Sequence, residues 1–297
     1  MNRTHCDHSV SSVKSDARLL PPVTLMQPEQ LAACLTAPDV LVVDVCSPTA
    51  GARPCIPAAV SLAGPQLQAG RPPTPGGLPA LAYLEQLLGH MGYRPDCTLV
   101  VCDDEGGGWA GRLLWTLDLI GHRKLAYLDG GVRAWRDAGL PLQHPPRAPQ
   151  PTRTRLRIEN PQVRMTAEQI MVALAAQQQD PTRVLALWDA RSPEEFAGLR
   201  RSARRAGHIP GAVNFEWTRA MDPQRSCRLR QDLAEQLEAV GLGPDRPLLT
   251  YCQAHHRSGL AYMAARLLGY AHVSAYDGGW SEWGNRMDTP VITGGSQ

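Results

Sequence analysis

Short apolar runs without polar alternation recur along the chain, at 40–45, 98–102 and 125–128 and again at 184–188, 247–251 and 272–276. A strand that is apolar at every position has both faces buried, the pattern of a parallel sheet covered by helices. The intervening stretches supply those helices: Pro79–Leu88, Thr166–Ala176 and Leu260–Leu268 carry apolar residues at helical spacing. In the last of these, Leu260, Met263, Ala264, Leu267 and Leu268 share one face, and Gly269 follows where a helix closes. Strands alternating with helices predict an α/β fold.

The pattern occurs twice. VLVVDVCSP (40–48) matches VLALWDARSP (184–193), and CIPAAVSL (55–62) matches HIPGAVNF (208–215). TLVVCDD (98–104) matches LLTYCQA (248–254), and AYLDGGVRAW (126–135) matches SAYDGGWSEW (274–283). The offsets are 145, 153, 149 and 148 for Asp44–Asp189, Pro57–Pro210, Asp103–Cys252 and Trp135–Trp283, close enough to mark a duplicated domain. The chain of 297 residues, too long for one typical core, then divides into a polar tail at 1–20, a domain at 21–144, a linker at 145–160 and a second domain at 161–297. HPPRAPQPTRTR, around the start of the linker, is too rich in Pro and Arg for a helix or a central strand.

A composition of 43% hydrophobic and 20% charged residues is that of an ordinary globular protein, and a net charge of +2 argues against a nucleic-acid or membrane-surface role. Small-molecule partners are the expectation. No apolar stretch reaches the roughly 18–20 residues that span a bilayer, and the first twenty residues lack an apolar secretory segment, so a cytoplasmic location is expected. The eight cysteines show no C-x-x-C pairing and no framework spacing, and in a reducing compartment they read as small buried hydrophobes or as one reactive thiol.

One cysteine stands apart by its setting. PLLTY (247–251) reads as a core strand and the segment from Ser258 as a helix, so Cys252 lies at the carboxyl end of a strand, where open α/β sheets bind ligands. In the loop Cys252–Arg257, which also holds Gln253, Ala254, His255 and His256, backbone N–H groups can turn inward and the following helix adds its positive end. These features and Arg257 lower a thiol from its usual value of roughly 8.5, which makes Cys252 a thiolate nucleophile. Cys252, His255 and His256 are also metal-ligand types, but adjacent histidines diverge and no fourth ligand is at hand, so neither metal nor cofactor is expected.

C-x₄-R after a strand, DARSPEEF (189–196), GHIPGAVNF (207–215) and DGGWSEW (277–283), in this order, resemble the rhodanese family over roughly residues 22–295, and the duplicated layout resembles its tandem-domain members, with the loop CQAHHR close to bacterial ones. The resemblance implies two rhodanese-like domains, each a small parallel sheet flanked by helices. It implies transfer of sulfane sulfur, with Cys252 attacking the outer sulfur of thiosulfate, forming a persulfide and passing the sulfur to a thiophilic acceptor such as cyanide. Nucleophile and leaving group are both stable anions, so the chemistry needs no general base. Arg257 would fix the loop or bind donor oxygens. His255 and His256, on a loop whose amides converge inward, are expected to splay outward, either adding positive charge or lining the mouth.

Asp189 and Arg191 match the family's D-x-R and are assigned a bracing role. Glu194 and Glu195 stand where the mammalian enzymes carry a further basic residue, a departure that makes their donor contacts a doubtful template. Trp217 resembles a pocket-lining aromatic of bacterial relatives, although core packing explains an aromatic equally well. Arg200, Arg201, Arg204 and Arg205 read as a solvated loop or as a lure for anions. In the first half Asp103 and Gly108 replace Cys252 and Arg257, so that half is expected to be catalytically silent and to wall the cleft, with Cys102 pointing away from the loop. The alternatives are mercaptopyruvate as donor, although its users commonly carry a CGSG loop, a persulfide carrier serving a protein acceptor, and phosphate or arsenate chemistry, which usually needs the longer C-x₅-R. A monomer is expected.

Overall fold

The computed structural model describes residues 20–46, 53–182 and 184–294; the expected tail at 1–20 lies outside these apart from Leu20. Strands β1 (Thr24–Met26), β2 (Val40–Cys46), β3 (Val60–Ala63), β4 (Thr98–Cys102) and β5 (Leu125–Leu128) form a parallel sheet in the order β1-β5-β4-β2-β3. Helices α1 (Pro28–Cys34), α2 (Leu81–His90), α3 (Gly108–Leu119) and α4 (Gly131–Asp137) flank it. The second half adds α5 (Ala167–Gln179), β6 (Ala186–Asp189), α6 (Pro193–Ala197), β7 (Ala212–Asn214), the antiparallel pair β8 (Met221–Asp222) and β9 (Arg228–Leu229), and α7 (Leu233–Ala239). It ends with β10 (Leu248–Tyr251), α8 (Arg257–Leu267), β11 (Val273–Ala275) and α9 (Gly279–Trp283). Its parallel sheet runs β11-β10-β6-β7, and beyond β11 a single parallel bridge from Arg164 to Ala275 stands where the first sheet has β1.

Unbroken apolar runs became strands buried on both faces, as the pattern required. Along β10 the side chains alternate: Leu248 joins a core that spans both halves, whereas Leu249 and Tyr251 face a core within the second half alone. Cys252 returns to the spanning core. Cys102 packs in the outer core of the first sheet, away from its loop, as alternation predicts.

The halves meet where α3 and α8 cross, and glycine makes the crossing close. A Cβ on Gly111 would stand 2.2 Å from the Gly259 carbonyl oxygen, and one on Gly259 would stand 2.6 Å from the Gly108 carbonyl oxygen. Glycine inside a helix costs about 1 kcal/mol against alanine. That cost is offset here by burial on both helices of Leu113, Leu114, Trp115, Leu260, Tyr262 and Met263, at about 1.5–3 kcal/mol for each large side chain. Residues 145–160 hold no helix or strand, yet they are tied along the first half: Thr152 N–H donates to the Gly89 carbonyl at 2.8 Å and Leu156 N–H to Glu85 at 2.9 Å. No helix among the described residues is long and apolar enough to cross a membrane.

Candidate active site

β10 ends at Tyr251, level with Asp189 at the end of β6, and α8 begins at Arg257, one residue earlier than the sequence suggests. Arg257, Ser258 and Gly259 are polar or small and hide the apolar periodicity of that first turn, although Ser258 and Gly259 are buried. Between strand and helix the carbonyls are held from outside. Trp280 N–H donates to the Cys252 carbonyl at 2.8 Å, Ser281 N–H to that of Gln253 at 2.9 Å, and the Gln68 amide, from the first half, to that of Ala254 at 2.6 Å. Carbonyls directed out leave N–H groups directed in, and those of Ala254 and Ser258 reach the Cys252 sulfur.

Cys252 is 1% exposed. Burial alone would push its thiol up, but the Arg257 charge, the Ser258 hydroxyl and the Ser258 and Ala254 amides outweigh it and hold the thiol below its ordinary value. The Ser258 hydroxyl lies 3.4 Å from Sγ. The guanidinium of Arg257 is engaged by Glu195, with Nη1 2.6 Å and Nη2 3.0 Å from the two carboxylate oxygens. Both terminal nitrogens of Arg257 are thus engaged on one carboxylate. Glu195, read in the sequence as a departure, is the partner. It is 5% exposed, burial would push its carboxyl up, and the Arg257 hydrogen bond and charge hold it below the usual carboxylate range instead.

The two histidines part company. His255 does not splay outward: its φ of +50°, a left-handed conformation that histidine adopts more readily than most residues, turns the ring inward to full burial. There it meets the edge of Trp115 at 4.6 Å between centroids, and Nδ1 lies 2.8 Å from the Ser258 hydroxyl. Burial above all, with the charge of Arg112, keeps His255 neutral by pushing it well below the usual histidine value. His256 is half-buried, hydrogen-bonded to Glu105 of the first half and set against Trp109 at 4.3 Å and Trp217 at 5.7 Å. Trp217 thus sits beside the loop.

Asp189 and Arg191 form a fully buried pair, Nη2 to carboxylate 2.6 Å, and Arg191 also donates to the Gly207 carbonyl at 2.8 Å and lies over the Trp280 ring at 4.5 Å. The pair ties the end of β6 to the segment after α6. Gln253 is bonded to Ser202 at 2.8 Å, which sets the arginine-rich loop beside the site. Within that loop Arg200, Arg201 and Arg204 are exposed, but Arg205 is structural, donating to the carbonyls of Thr289 at 2.7 Å and Trp283 at 2.9 Å.

The first half supplies more than a wall. Arg112, fully buried on α3, donates to the carbonyls of Gly76 at 2.7 Å and Leu67 at 2.6 Å and has no carboxylate in its hydrogen bonds among the described residues. Burial pushes it down to about 10, which leaves it charged at neutral pH and able to act on Cys252. Its place on α3, in the other half and 140 positions upstream, gave no sequence signal. In that half's own loop the Asp103 carboxylate accepts from the amides of Glu105, Gly106, Gly107 and Ala110 at 2.8–3.2 Å. Among the described residues no group of three or more His, Cys, Asp or Glu side chains could hold a metal.

The family profile described as "Rhodanese-like domain" matches residues 27–138 and 171–286. A thiosulfate sulfurtransferase of Pseudomonas aeruginosa is 46% identical over 94% of this chain and 99% of its own length. One from Azotobacter vinelandii is 45% identical over 90% of this chain and 96% of its own. An anaerobic ergothioneine biosynthesis enzyme from Chlorobium limicola superposes with a TM-score of 0.77 over 92% of this chain and 70% of that one, at 22% identity, a likeness of fold alone.

Proposed function

We propose that this chain, which belongs to the rhodanese-like family, is a thiosulfate sulfurtransferase that carries sulfur as a persulfide of Cys252. The Cys252 thiolate attacks the outer sulfur of thiosulfate. The donor's S–S bond breaks, its electron pair leaves on sulfite, and the new S–S bond leaves a negative terminal sulfur on the enzyme. An acceptor such as cyanide then attacks that sulfur and the Cys252 thiolate is released. No proton has to move in either step. The protein's task is to hold an anion through both, with preorganised donors that need not reorient.

The observation that carries this reading is a thiol buried to 1% exposure and yet held below its ordinary value by Arg257 and inward amides. The same reading places Gln253, Ala254, His255 and His256 around the substrate and gives Asp189, Arg191 and Trp217 supporting roles. It divides the chain into a silent domain at 21–144 and a catalytic domain at 161–297, joined by 145–160. One chain supplies both walls of the site, so a monomer suffices. The seven described cysteines are all free thiols, which fits a reducing cytoplasm.

Sulfur transfer to cyanide, followed as thiocyanate, tests the proposal. Thiosulfate should be turned over faster than mercaptopyruvate, and an aryl phosphate not at all. No turnover of either sulfur donor, together with release of phosphate, would overturn it.

A further inference from the structure

Resting on the reading of Cys252 as the nucleophile, we infer that Ser258 and His255 form a directed pair of hydrogen bonds onto its sulfur, His255 Nδ1–H to Ser258 Oγ and Ser258 Oγ–H to Cys252 Sγ, with His255 a positioning residue that acts through Ser258.

The direction follows from counting hydrogens. Ser258 Oγ has one proton and two partners, Sγ at 3.4 Å and Nδ1 of His255 at 2.8 Å. A thiolate has no proton to give, so the hydroxyl must donate to it. Oγ is then left as an acceptor towards the ring, and Nδ1 must carry the imidazole proton. The other ring nitrogen, Nε2, is buried and has no hydrogen-bond partner among the described residues. It is better left as a bare lone pair than as an orphaned N–H, since a buried unmade donor is the costlier of the two. Both observations select the same tautomer. Bonds in such a chain polarise one another in a low-dielectric interior, so the second donor strengthens the first.

The pair does this without adding charge. His255 packs against Trp115 of α3 and faces Arg112 on α3, Arg164 and the neighbouring His256, all of which oppose its protonation. Arg257 on α8 and Arg112 on α3 are the cations acting on Cys252, and Glu195 on α6 and Asp189 on β6 are the carboxylates acting on Arg257. The left-handed backbone at His255 puts the ring where it can reach Ser258, which accounts for a strained position in the middle of the loop.

The test is the pH dependence of iodoacetamide alkylation of Cys252 in the full chain, read on the Cys252 peptide so that other thiols do not contribute. It does not depend on sulfur transfer, so it can fail while the proposed reaction stands, or hold if that reaction proves wrong. Ser258→Ala, nearly isosteric, should raise the alkylation midpoint by about one pH unit, the scale of one hydrogen bond to a charged group. His255→Leu should raise it by less. His255→Asn, which keeps an N–H near Nδ1 and tolerates a left-handed backbone, should restore most of the difference. Because His255 acts through Ser258, His255→Leu should add nothing in a Ser258→Ala background. An unchanged midpoint in Ser258→Ala, or a full additive shift in the double variant, would overturn the inference.

Discussion

After β4 the chain turns through Asp103–Gly107 so that four amides converge on the Asp103 carboxylate, and after β10 the corresponding turn directs the amides of Ala254 and Ser258 at the Cys252 sulfur. The supports correspond as well: Val132 N–H holds the Asp103 carbonyl at 2.9 Å just as Trp280 N–H holds that of Cys252 at 2.8 Å. Both loops are therefore anion holders, and they differ in what they hold. The first contains its own carboxyl, which burial raises to about 6 and which occupies the four amides with its two oxygens. The second holds a thiol kept below its ordinary value, the sulfur proposed to accept a second sulfur and give it up. The first loop shares the scaffold of the second and fills it with its own side chain, and the same half places Arg112, Trp115 and Glu105 against its neighbour.

Several substitutions would break or sharpen this contrast. Cys252→Ala should remove transfer by at least about 10³-fold, since no other group in the loop can form a persulfide, while the melting temperature stays near that of the parent. Asp103→Ala should do the reverse. It strips the acceptor from four amides, three of them buried, and should destabilise by about 3 kcal/mol, seen as a melting temperature lower by roughly 6–12 °C, with transfer in the surviving folded protein reduced less than about threefold. Loss of transfer in Asp103→Ala as large as in Cys252→Ala would mean that the two loops are not separable as described.

Arg112→Met tests whether the first half contributes charge or only shape. Loss of a cation should raise the Cys252 thiol, so transfer should fall by several-fold at pH 6 and recover towards the parent rate at alkaline pH, where the thiol ionises without help. A loss independent of pH would assign Arg112 to packing alone. Glu195→Gln should have a smaller effect at neutral pH, about two- to fivefold, by loosening the Arg257 fork. It should also change the acid limb of stability. Because the Glu195 carboxyl is held low in the folded chain, its stabilisation is present above the ordinary glutamate value of about 4.3 and is lost as pH falls from there towards the folded value. Urea unfolding between pH 3 and 6 should show a flatter dependence in the variant.

The sequence carried the parts of this design that are local. Unbroken apolar runs marked β2, β4, β5, β6, β10 and β11, the repeat offsets marked the duplication, and a cysteine just past a strand marked the candidate site. It missed β1, a short strand whose three residues are exposed or half-buried and so lack an apolar signature. It missed the inward turn of His255 because a positive φ at a non-glycine residue is imposed by surrounding contacts and leaves no periodic trace. The partner of Arg257 lies 62 residues away, and Arg112 and Trp115 come from the other half. Contacts of that range depend on how α3 and α8 cross, and that crossing is set by two glycines whose importance shows only when a Cβ is placed on them.

Mass spectrometry of the two loop peptides after exposure to thiosulfate, and again after cyanide, addresses the difference between the loops directly. The account predicts one added sulfur on the peptide that contains Cys252, its removal by cyanide, and no addition to the peptide that contains Cys102 and Asp103. Sulfur found on the Cys102 peptide, or an unmodified Cys252 in a chain that still transfers sulfur, would contradict it.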